Sequence, residues 1–220
     1  MTGLFNNKGF ENQEYRPLIP KYYTLEYKNY IKEESRLLIN KLKGPYRILE
    51  AGVGIGRMIP KIAPIVKEFF GVDNSEFMVK TSKEVGSKFT NVKIVKGDLE
   101  HLAELFPSKF FDFSLLLWNT LGNVKDEVVV LKELSKMTKK SIIITVHLKG
   151  KMENRKRWYQ KVGINIIKID PKKEIFYFDG NIRSKSYSLD SIKKLAKKSH
   201  LHLKDSKVIE DVVLWVELSK

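Results

Sequence analysis

A glycine-rich segment at residues 48 to 57, ILEAGVGIGR, joins an apolar run to an acidic residue and three glycines at alternate positions. Gly52, Gly54 and Gly56 can adopt positive φ angles, so main-chain N–H groups can approach a flat or charged ligand closely. Nucleotide-binding α/β folds hold their cofactor at this place, the carboxyl end of the first strand. The segment therefore predicts a cofactor-binding loop beside Glu50, with a purely structural glycine turn as the alternative.

The spacing of these glycines argues against two common classes of nucleotide cofactor. A dinucleotide fingerprint reads G-x-G-x-x-G, but the sixth position here is Arg57 counted from Gly52 and Ile59 counted from Gly54. The sequence also lacks the G-x-x-x-x-G-K-[ST] pattern of a phosphate-binding loop. NAD and FAD are therefore disfavoured, and ATP hydrolysis is not expected.

Two further acidic residues follow later apolar runs. Asp73 ends the run FFGVD, at about the distance where Rossmann-like folds place an acid on the ribose hydroxyls. Asp98 follows Gly97 after the apolar run 92–96. Turn and helix-capping chemistry could explain each acid alone, but three acids at successive strand ends indicate one shared ligand.

The pattern E-x-G-x-G-x-G resembles the first motif of the class I S-adenosylmethionine-dependent methyltransferases, and the likeness extends over residues 46 to 146. In that family an acid at the Glu50 position holds the amino-acid part of the cofactor. The resemblance assigns Asp73 to the ribose and Asp98 to the adenine amino group, with Leu99 beside the ring. It implies S-adenosylmethionine as cofactor and S-adenosylhomocysteine as product. The cofactor-binding residues that it implies are Glu50, Ala51, Gly52, Gly54, Gly56, Arg57, Asp73, Asn74, Met78, Gly97, Asp98, Leu99, Trp118, Tyr22 and Tyr23.

The fourth apolar run, FFDFSLLLWNTLGNV at 110–124, resembles the fourth motif of the same family, whose strand exit faces both the sulfonium and the substrate. Trp118 and Asn119 lie at that exit. The segment WNTLGNV resembles the corresponding loop of small-molecule N-methyltransferases of the glycine N-methyltransferase type. It departs from the Asn-Pro-Pro-Tyr motif of adenine and glutamine N-methyltransferases. The resemblance favours a small amine as substrate. RNA or protein substrates and a non-catalytic S-adenosylmethionine-binding protein are the alternatives.

A methyl group on a sulfonium is already activated, so the enzyme mainly has to align the reactants and exclude water. For an amine substrate, Asn119 is a candidate for orienting the nucleophile. His147, at the end of the predicted fifth strand, is the candidate base, with a structural histidine as the alternative. The remaining histidines, His101, His200 and His202, lack the spacing of metal ligands, so no metal site is predicted.

Alternating strand and helix patterns predict a Rossmann-like α/β fold. We expect a seven-stranded, mostly parallel sheet with helices on both faces and an antiparallel terminal hairpin, because the core strands are nearly continuous apolar runs. Strands are expected at 46–51, 67–72, 92–96, 111–117 and 141–147, and helices at 24–42, 56–66, 75–86 and 124–138. Ser188 is expected to cap a later helix, which two last strands follow.

These elements predict a single methyltransferase domain over residues 1–220. It would comprise an N-terminal arm and helix (1–44), a cofactor-binding core (45–147), a small β insertion (148–187), and a C-terminal helix and hairpin (188–220). Insertions at the carboxyl edge of such a sheet commonly cover substrates, so we expect 148–187 to form a substrate lid of two or three antiparallel strands. Tyr22 and Tyr23, at the start of the first helix, are expected to help close the cofactor pocket.

The composition limits the partners. The sequence has no cysteine, which excludes disulfides, thiolate metal sites and a cysteine nucleophile. It shows neither a membrane-length apolar stretch nor a secretory start, so a cytoplasmic protein without membrane contact is expected. A net charge of +15 raises nucleic acid as a partner, but the lysines are scattered and only 149–161 forms a local basic cluster. A small-molecule substrate is therefore favoured over nucleic acid, and the oligomeric state is left open.

Overall fold

A seven-stranded sheet forms the centre of the computed structural model, which describes residues 23–220. The strands are β1 (Gly44–Ala51), β2 (Val66–Asp73), β3 (Val92–Lys96), β4 (Phe111–Leu116), β5 (Thr138–His147), β6 (Ile166–Asp170), β7 (Ile175–Phe178), β8 (Ile182–Lys185), β9 (His202–Ile209) and β10 (Val213–Ser219). The large sheet has the order β3-β2-β1-β4-β5-β10-β9. Its first five strands are parallel, and β10 is antiparallel to both β5 and β9. The predicted fold class is confirmed.

Helices occupy most of the connections between these strands. They are α1 (Leu25–Leu42), α2 (Ile59–Ile62), α3 (Glu76–Gly86), α4 (Thr120–Asn123), α5 (Glu127–Met137), α6 (Met152–Val162) and α7 (Leu189–Lys198), with short 3-10 turns at Ala63–Ile65, Leu99–Glu104 and Asp179–Asn181. Side-chain oxygens of Ser75, Asp126 and Ser188 accept hydrogen bonds from backbone N–H groups in the first turns of α3, α5 and α7. Such caps satisfy donors that have no partner within the helix. The predicted cap at Ser188 is confirmed.

Two predicted helices were wrong in their bounds. The helix expected at 56–66 is α helix only over Ile59–Ile62, and a 3-10 turn follows it. Pro60 and Pro64 lie in the first turns of these two short segments, where their missing N–H groups cost no helical bond. The helix expected at 124–138 begins later, as α5 over Glu127–Met137, because Asp126 caps it; the short helix α4 precedes the expected range. Gly56 therefore lies in the loop rather than in a helix.

Apolar side chains cover both faces of the large sheet. Along β1, Ile48 belongs to a cluster with the buried side of α1, whereas its neighbour Leu49 packs in a second cluster with α5 and α7. Successive side chains of a strand point to opposite faces, so this alternation gives one core on each side of the sheet. Within residues 23–220, no helix is both long and apolar enough to cross a membrane.

The segment after β5 forms the β insertion that the sequence predicts. It contains α6 and a three-stranded antiparallel sheet of order β6-β7-β8 within the described part of the chain. Arg155 of α6 is fully buried, and its guanidinium donates hydrogen bonds to the carbonyl oxygens of Glu174 (3.2 Å) and Ser184 (2.8 Å). The guanidinium also lies 4.7 Å from the ring centre of Phe176. Arg155 thus joins the helix of the insertion to its small sheet.

Exposed lysines line the two edge strands of the large sheet. Lys93 and Lys96 lie on β3, and Lys204 and Lys207 lie on β9. Each of the four ammonium groups pairs with a glutamate of the same chain. Charged side chains at such positions are a common way to protect an unpaired strand edge.

Candidate active site

The glycine loop, residues 52–57, leaves the carboxyl end of β1 with three positive φ angles. Gly52, Gly54 and Gly56 have φ values of 79°, 55° and 78°, which residues with a side chain rarely adopt. A Cβ atom at Gly52 would lie 2.5 Å from Cγ2 of Thr120, so this glycine is required by close packing. A Cβ at Gly54 would meet no described atom within 4 Å. The backbone at Gly54 is therefore open to a ligand on the side where a side chain would project.

Glu50, the last polar residue of β1, is a buried carboxyl with an unsatisfied oxygen. The residue is 3% exposed, and its Oε2 has no hydrogen-bond partner among residues 23–220. Burial raises the pKa of Glu50 to about 8; the positive charge of Arg57 opposes this rise, and the carboxylates of Glu34 and Asp73 add to it. An unpartnered buried carboxyl next to an open glycine backbone fits a ligand that brings its own positive charge.

The three strand-end acids lie at one edge of the sheet. β1 pairs with β2 and β2 pairs with β3; Glu50 and Asp73 lie at the ends of β1 and β2, and Asp98 follows β3. The carboxylate of Asp73 accepts hydrogen bonds from Gly54 N (2.9 Å) and Ser75 N (3.0 Å), which connects the end of β2 to the glycine loop. Asp98 is exposed and accepts a bond from Glu100 N (2.9 Å) at the start of the next turn.

The other residues of the predicted cofactor site lie around this edge. Ala51, Met78 and Leu99 are buried, Gly97 is half-buried, and Asn74 is exposed directly after Asp73. Tyr22 lies outside the described residues. The residues predicted on or after β1, β2 and β3 thus lie around the carboxyl ends of these strands, whereas Trp118 and Tyr23 lie beside the turn after β4.

The turn after β4 has an unusual backbone. Trp118 and Asn119 have φ angles of 53° and 63°, a left-handed conformation that is uncommon for residues other than glycine. The Asn119 side chain is buried; its Oδ1 accepts a bond from His147 N (3.0 Å), and its Nδ2 donates to Ser184 Oγ (2.9 Å). Asn119 therefore connects this turn to the end of β5 and to β8 of the insertion.

His147 ends β5 on the same edge of the sheet. Its ring is buried, and Nδ1 lies 3.2 Å from the hydroxyl oxygen of Tyr27. Burial, together with the positive charge of Arg155, lowers the pKa of His147 well below its usual value of 6.5. The imidazole is therefore neutral near pH 7, and a neutral imidazole can accept a proton.

An aromatic cluster connects three separate parts of the chain beside His147. Its members are Tyr23, Tyr27, Tyr30, Trp118, Trp158 and Tyr159. Tyr30 of α1 stacks on Trp118 with 5.4 Å between ring centres, and Tyr27 stacks on Trp158 of α6 at 4.5 Å. Tyr23 is buried 5.3 Å from Trp118. Helix α1 and the insertion thus meet over the strand exit that the sequence predicts to face the substrate.

Sequence analysis missed the partners of Arg57. The Nη2 atom of Arg57 lies 2.6 Å from Oε2 of Glu34, which is fully buried on α1. Thr145 of β5 donates a hydrogen bond to the other oxygen of Glu34 at 2.8 Å. A signal was present, because Glu34 lies four residues after Tyr30 on the buried face of an otherwise apolar helix stripe. Within residues 23–220, no group of three or more acidic or histidine side chains could hold a metal ion.

Part of the chain matches a known protein family. Residues 49–145 match a family of methyltransferase domains. No curated protein sequence matches the chain. The glycine loop and Asp73 and Asp98 lie within this matched methyltransferase domain, which supports an enzyme that uses S-adenosylmethionine as its cofactor.

Several solved structures share this fold at low sequence identity. The PH0226 protein of Pyrococcus horikoshii is 20% identical with a TM-score of 0.74, and the match covers 94% of this chain and 99% of that one. Magnesium protoporphyrin IX methyltransferase of Synechocystis, solved with bound S-adenosylhomocysteine, is 13% identical with a TM-score of 0.68, covering 97% and 95%. The 1,6-didemethyltoxoflavin-N1-methyltransferase of Burkholderia thailandensis, solved with its substrate and S-adenosylhomocysteine, is 15% identical with a TM-score of 0.65, covering 94% and 87%. At this level of identity the likeness establishes the fold.

Of two alanine substitutions in the glycine loop, one should mainly lower the stability of the protein and the other should mainly weaken ligand binding. Gly52→Ala combines a left-handed alanine with the clash against Thr120, so we expect it to lower the free energy of unfolding by about 2 kcal/mol or more. Gly54→Ala carries only the backbone cost of about 1 kcal/mol, but its methyl projects into the open side of the loop and should weaken S-adenosylhomocysteine binding by about tenfold. Denaturant unfolding and calorimetric titration of both variants check this. Wild-type affinity in Gly54→Ala would contradict ligand approach at this position.

Proposed function

We propose that this methyltransferase transfers a methyl group to the nitrogen of a small-molecule amine. The observation that carries the proposal is the position of the neutral His147 and the aromatic cluster beside the strand exit that follows β4. An amine must lose a proton during methylation; the neutral imidazole of His147 could accept it only transiently, because burial and Arg155 disfavour its charged form. The cytoplasmic location and the small-molecule partner expected from the sequence belong to the same proposal.

The residues around the glycine loop fit the cofactor. Glu50 would pair with the ammonium of its amino-acid part, since this carboxyl is buried and one of its oxygens has no described partner. Asp73 would bind the ribose hydroxyls, and Asp98 the adenine amino group beside Leu99. Asn74, Met78 and the backbone of the glycine loop would complete the pocket around the nucleoside.

When bound, S-adenosylmethionine would supply an activated methyl group to the amine lone pair, and the electron pair of the broken C–S bond would remain on sulfur. The proton of the methylated amine would pass to His147 and then to water. Asn119 holds the turn after β4 by its bonds to His147 N and Ser184 Oγ, and would thereby position the nucleophile. The rings of the aromatic cluster would exclude water from the reacting atoms.

We assign substrate choice to the insertion, residues 148–187, acting as a lid. Trp158 and Tyr159 of α6 belong to the aromatic cluster, and Ser184 of β8 contacts Asn119 directly. A segment with both contacts can shape the acceptor pocket and can respond when a substrate binds there. The domain division into an N-terminal arm and helix, a core, a lid and a C-terminal hairpin is part of this proposal.

The basic cluster 149–161 gives little support to an RNA substrate. Arg155, in its middle, is fully buried against the small sheet, so it cannot offer a fork to phosphate. Arginine forks are the side chains best suited to phosphate recognition. Arg157 is exposed and donates a hydrogen bond to Asn154 Oδ1 of the same helix at 3.1 Å, and the exposed lysines of this segment form an ordinary solvated helix face.

The experiment combines a binding and a product measurement. Calorimetric titration with S-adenosylhomocysteine tests the cofactor, and mass spectrometry of a panel of small amines, alcohols and carbon acids incubated with S-adenosylmethionine tests the acceptor. We expect binding and transfer of one methyl group to an amine. Methylation of alcohols or carbon acids alone, or of added RNA with steep salt dependence, would overturn the amine assignment. Absence of S-adenosylhomocysteine binding would overturn the whole site.

A further inference from the structure

A buried ion pair joins α1 to the glycine loop. Arg57 follows Gly56 directly, and its Nη2 atom lies 2.6 Å from Oε2 of Glu34. The Glu34 side chain is fully buried, and that of Arg57 is 21% exposed. The guanidinium carbon of Arg57 also lies 5.3 Å from the ring centre of Trp118. The loop that would hold the cofactor is therefore in direct contact with the helix that covers the strand exit.

The same carboxylate of Glu34 contacts two further elements. It accepts hydrogen bonds from the hydroxyl of Tyr30 and from Thr145 Oγ1 on β5, the latter at 2.8 Å. Thr145 Oγ1 in turn accepts a bond from Trp118 N at 3.0 Å. One side chain thus fixes α1, the glycine loop, β5 and the turn after β4 relative to each other.

Stability alone gives weak reason for this arrangement. Removing two charges from water costs several kcal/mol per ion, and apolar residues of similar volume often replace buried ion pairs without loss of stability. What an ion pair with satisfied hydrogen bonds provides is one defined geometry. Here the ion pair defines the position of the glycine loop relative to the aromatic cluster.

We propose that Glu34 is a positioning residue that couples cofactor binding at the glycine loop to the docking of α1. The inference rests on the proposed function, since it assumes that the aromatic cluster borders the acceptor site. A ligand that fixes the glycine loop fixes Arg57, and Arg57 holds Glu34. Helix α1 then keeps Tyr27 stacked on Trp158 and Tyr30 stacked on Trp118, which completes the aromatic cluster.

Three variants separate this role from a simple loss of packing. Glu34→Gln leaves Arg57 buried without its counter-ion and is expected to lose stability as well as coupling. The double variant Glu34→Gln with Arg57→Gln replaces the pair by neutral hydrogen-bonding groups, so it should recover stability. Lys41→Met is the matched control, because Lys41 ties the last turn of α1 to Glu217 of β10 at 2.6 Å, and Glu217 keeps Lys204 as a second partner at 3.1 Å.

Hydrogen exchange of α1 with and without S-adenosylhomocysteine measures the coupling, and calorimetry measures the affinity. In wild type and in Lys41→Met, the ligand should slow exchange across residues 25–42. In both variants of Glu34, this ligand-dependent protection should disappear, and the dissociation constant should rise by about tenfold, a usual size for coupling between sites.

The outcomes distinguish the two levels of the argument. A double variant with wild-type affinity and wild-type protection of α1 would overturn the role of Glu34 and leave the proposed function standing. Equal loss of protection in Lys41→Met would do the same, because any weakening of α1 docking would then suffice. Wild-type protein that does not bind S-adenosylhomocysteine would overturn the proposed function and this inference with it.

Discussion

Replacing Glu50 by glutamine is expected to weaken S-adenosylhomocysteine binding by about a hundredfold, since truncating one partner of a buried charge pair costs about 2 to 5 kcal/mol. Glutamine has nearly the same shape but cannot pair with the cofactor's ammonium. Calorimetric titration measures the change. Glu68→Gln is the matched control, because Glu68 is a β2 carboxylate that pairs with Arg47 at 2.7 Å, toward the opposite end of β1. Wild-type affinity in Glu50→Gln would remove Glu50 from the cofactor site.

The same substitution should change the pH dependence of stability. Burial raises the pKa of Glu50 to about 8 in the folded protein, above the ordinary value of 4.5 that applies to the unfolded chain. The folded state then holds the proton more tightly, so this contribution to stability is complete below 4.5 and is lost as pH rises toward 8. Glu50→Gln lacks this loss, and its melting temperature should fall less than that of wild type across the interval. Parallel curves for the two proteins would contradict the buried, protonated state of Glu50.

Cofactor affinity should itself depend strongly on pH. Pairing with an ammonium requires the ionised carboxylate, whereas the free protein keeps Glu50 protonated below about pH 8. S-adenosylhomocysteine binding should therefore weaken by about tenfold for each pH unit below that value. Arg57 remains positive throughout: although burial opposes it, Glu34 holds the pKa of this guanidinium above its ordinary value.

Calorimetry in buffers of different ionisation enthalpy should detect about one proton released per ligand bound near neutral pH. The three charged groups that face Glu50, namely Glu34, Arg57 and Asp73, are unchanged in Glu50→Gln, which serves as the control. Its weaker binding should be independent of pH in this range. A wild-type affinity that stays constant from pH 6 to pH 8 would contradict the linkage.

The cofactor edge of the fold could be predicted from the sequence because its signals are local. Three glycines at alternate positions, Gly52, Gly54 and Gly56, predict a tight turn without any knowledge of the rest of the fold. Asp73 and Asp98 end apolar runs that alternate with helices, and parallel strands in such an alternation bring their carboxyl ends to one edge. No contact between distant residues had to be known in order to place them.

The acceptor side of the site depends on contacts that the sequence does not display. Glu34 and Thr145 are 111 positions apart, and Tyr27 and His147 are 120 apart. Whether α1 lies over the strand exit is decided by how the helix docks, and no periodicity encodes that choice. The exact bounds of α2 were also missed, although Pro60 and Pro64 could have indicated a short, broken helix.

The lysines on β3 and β9 affect whether two molecules of this protein can pair through the edges of their sheets. If two molecules paired their sheet edges, Lys93 and Lys96 or Lys204 and Lys207 would have to lose water and leave their glutamate partners. Fibre-like growth of one sheet into the next is thereby opposed at both borders. These edge lysines thus act against aggregation through the cost of removing them from water and from their partners, a role that requires no nucleic acid.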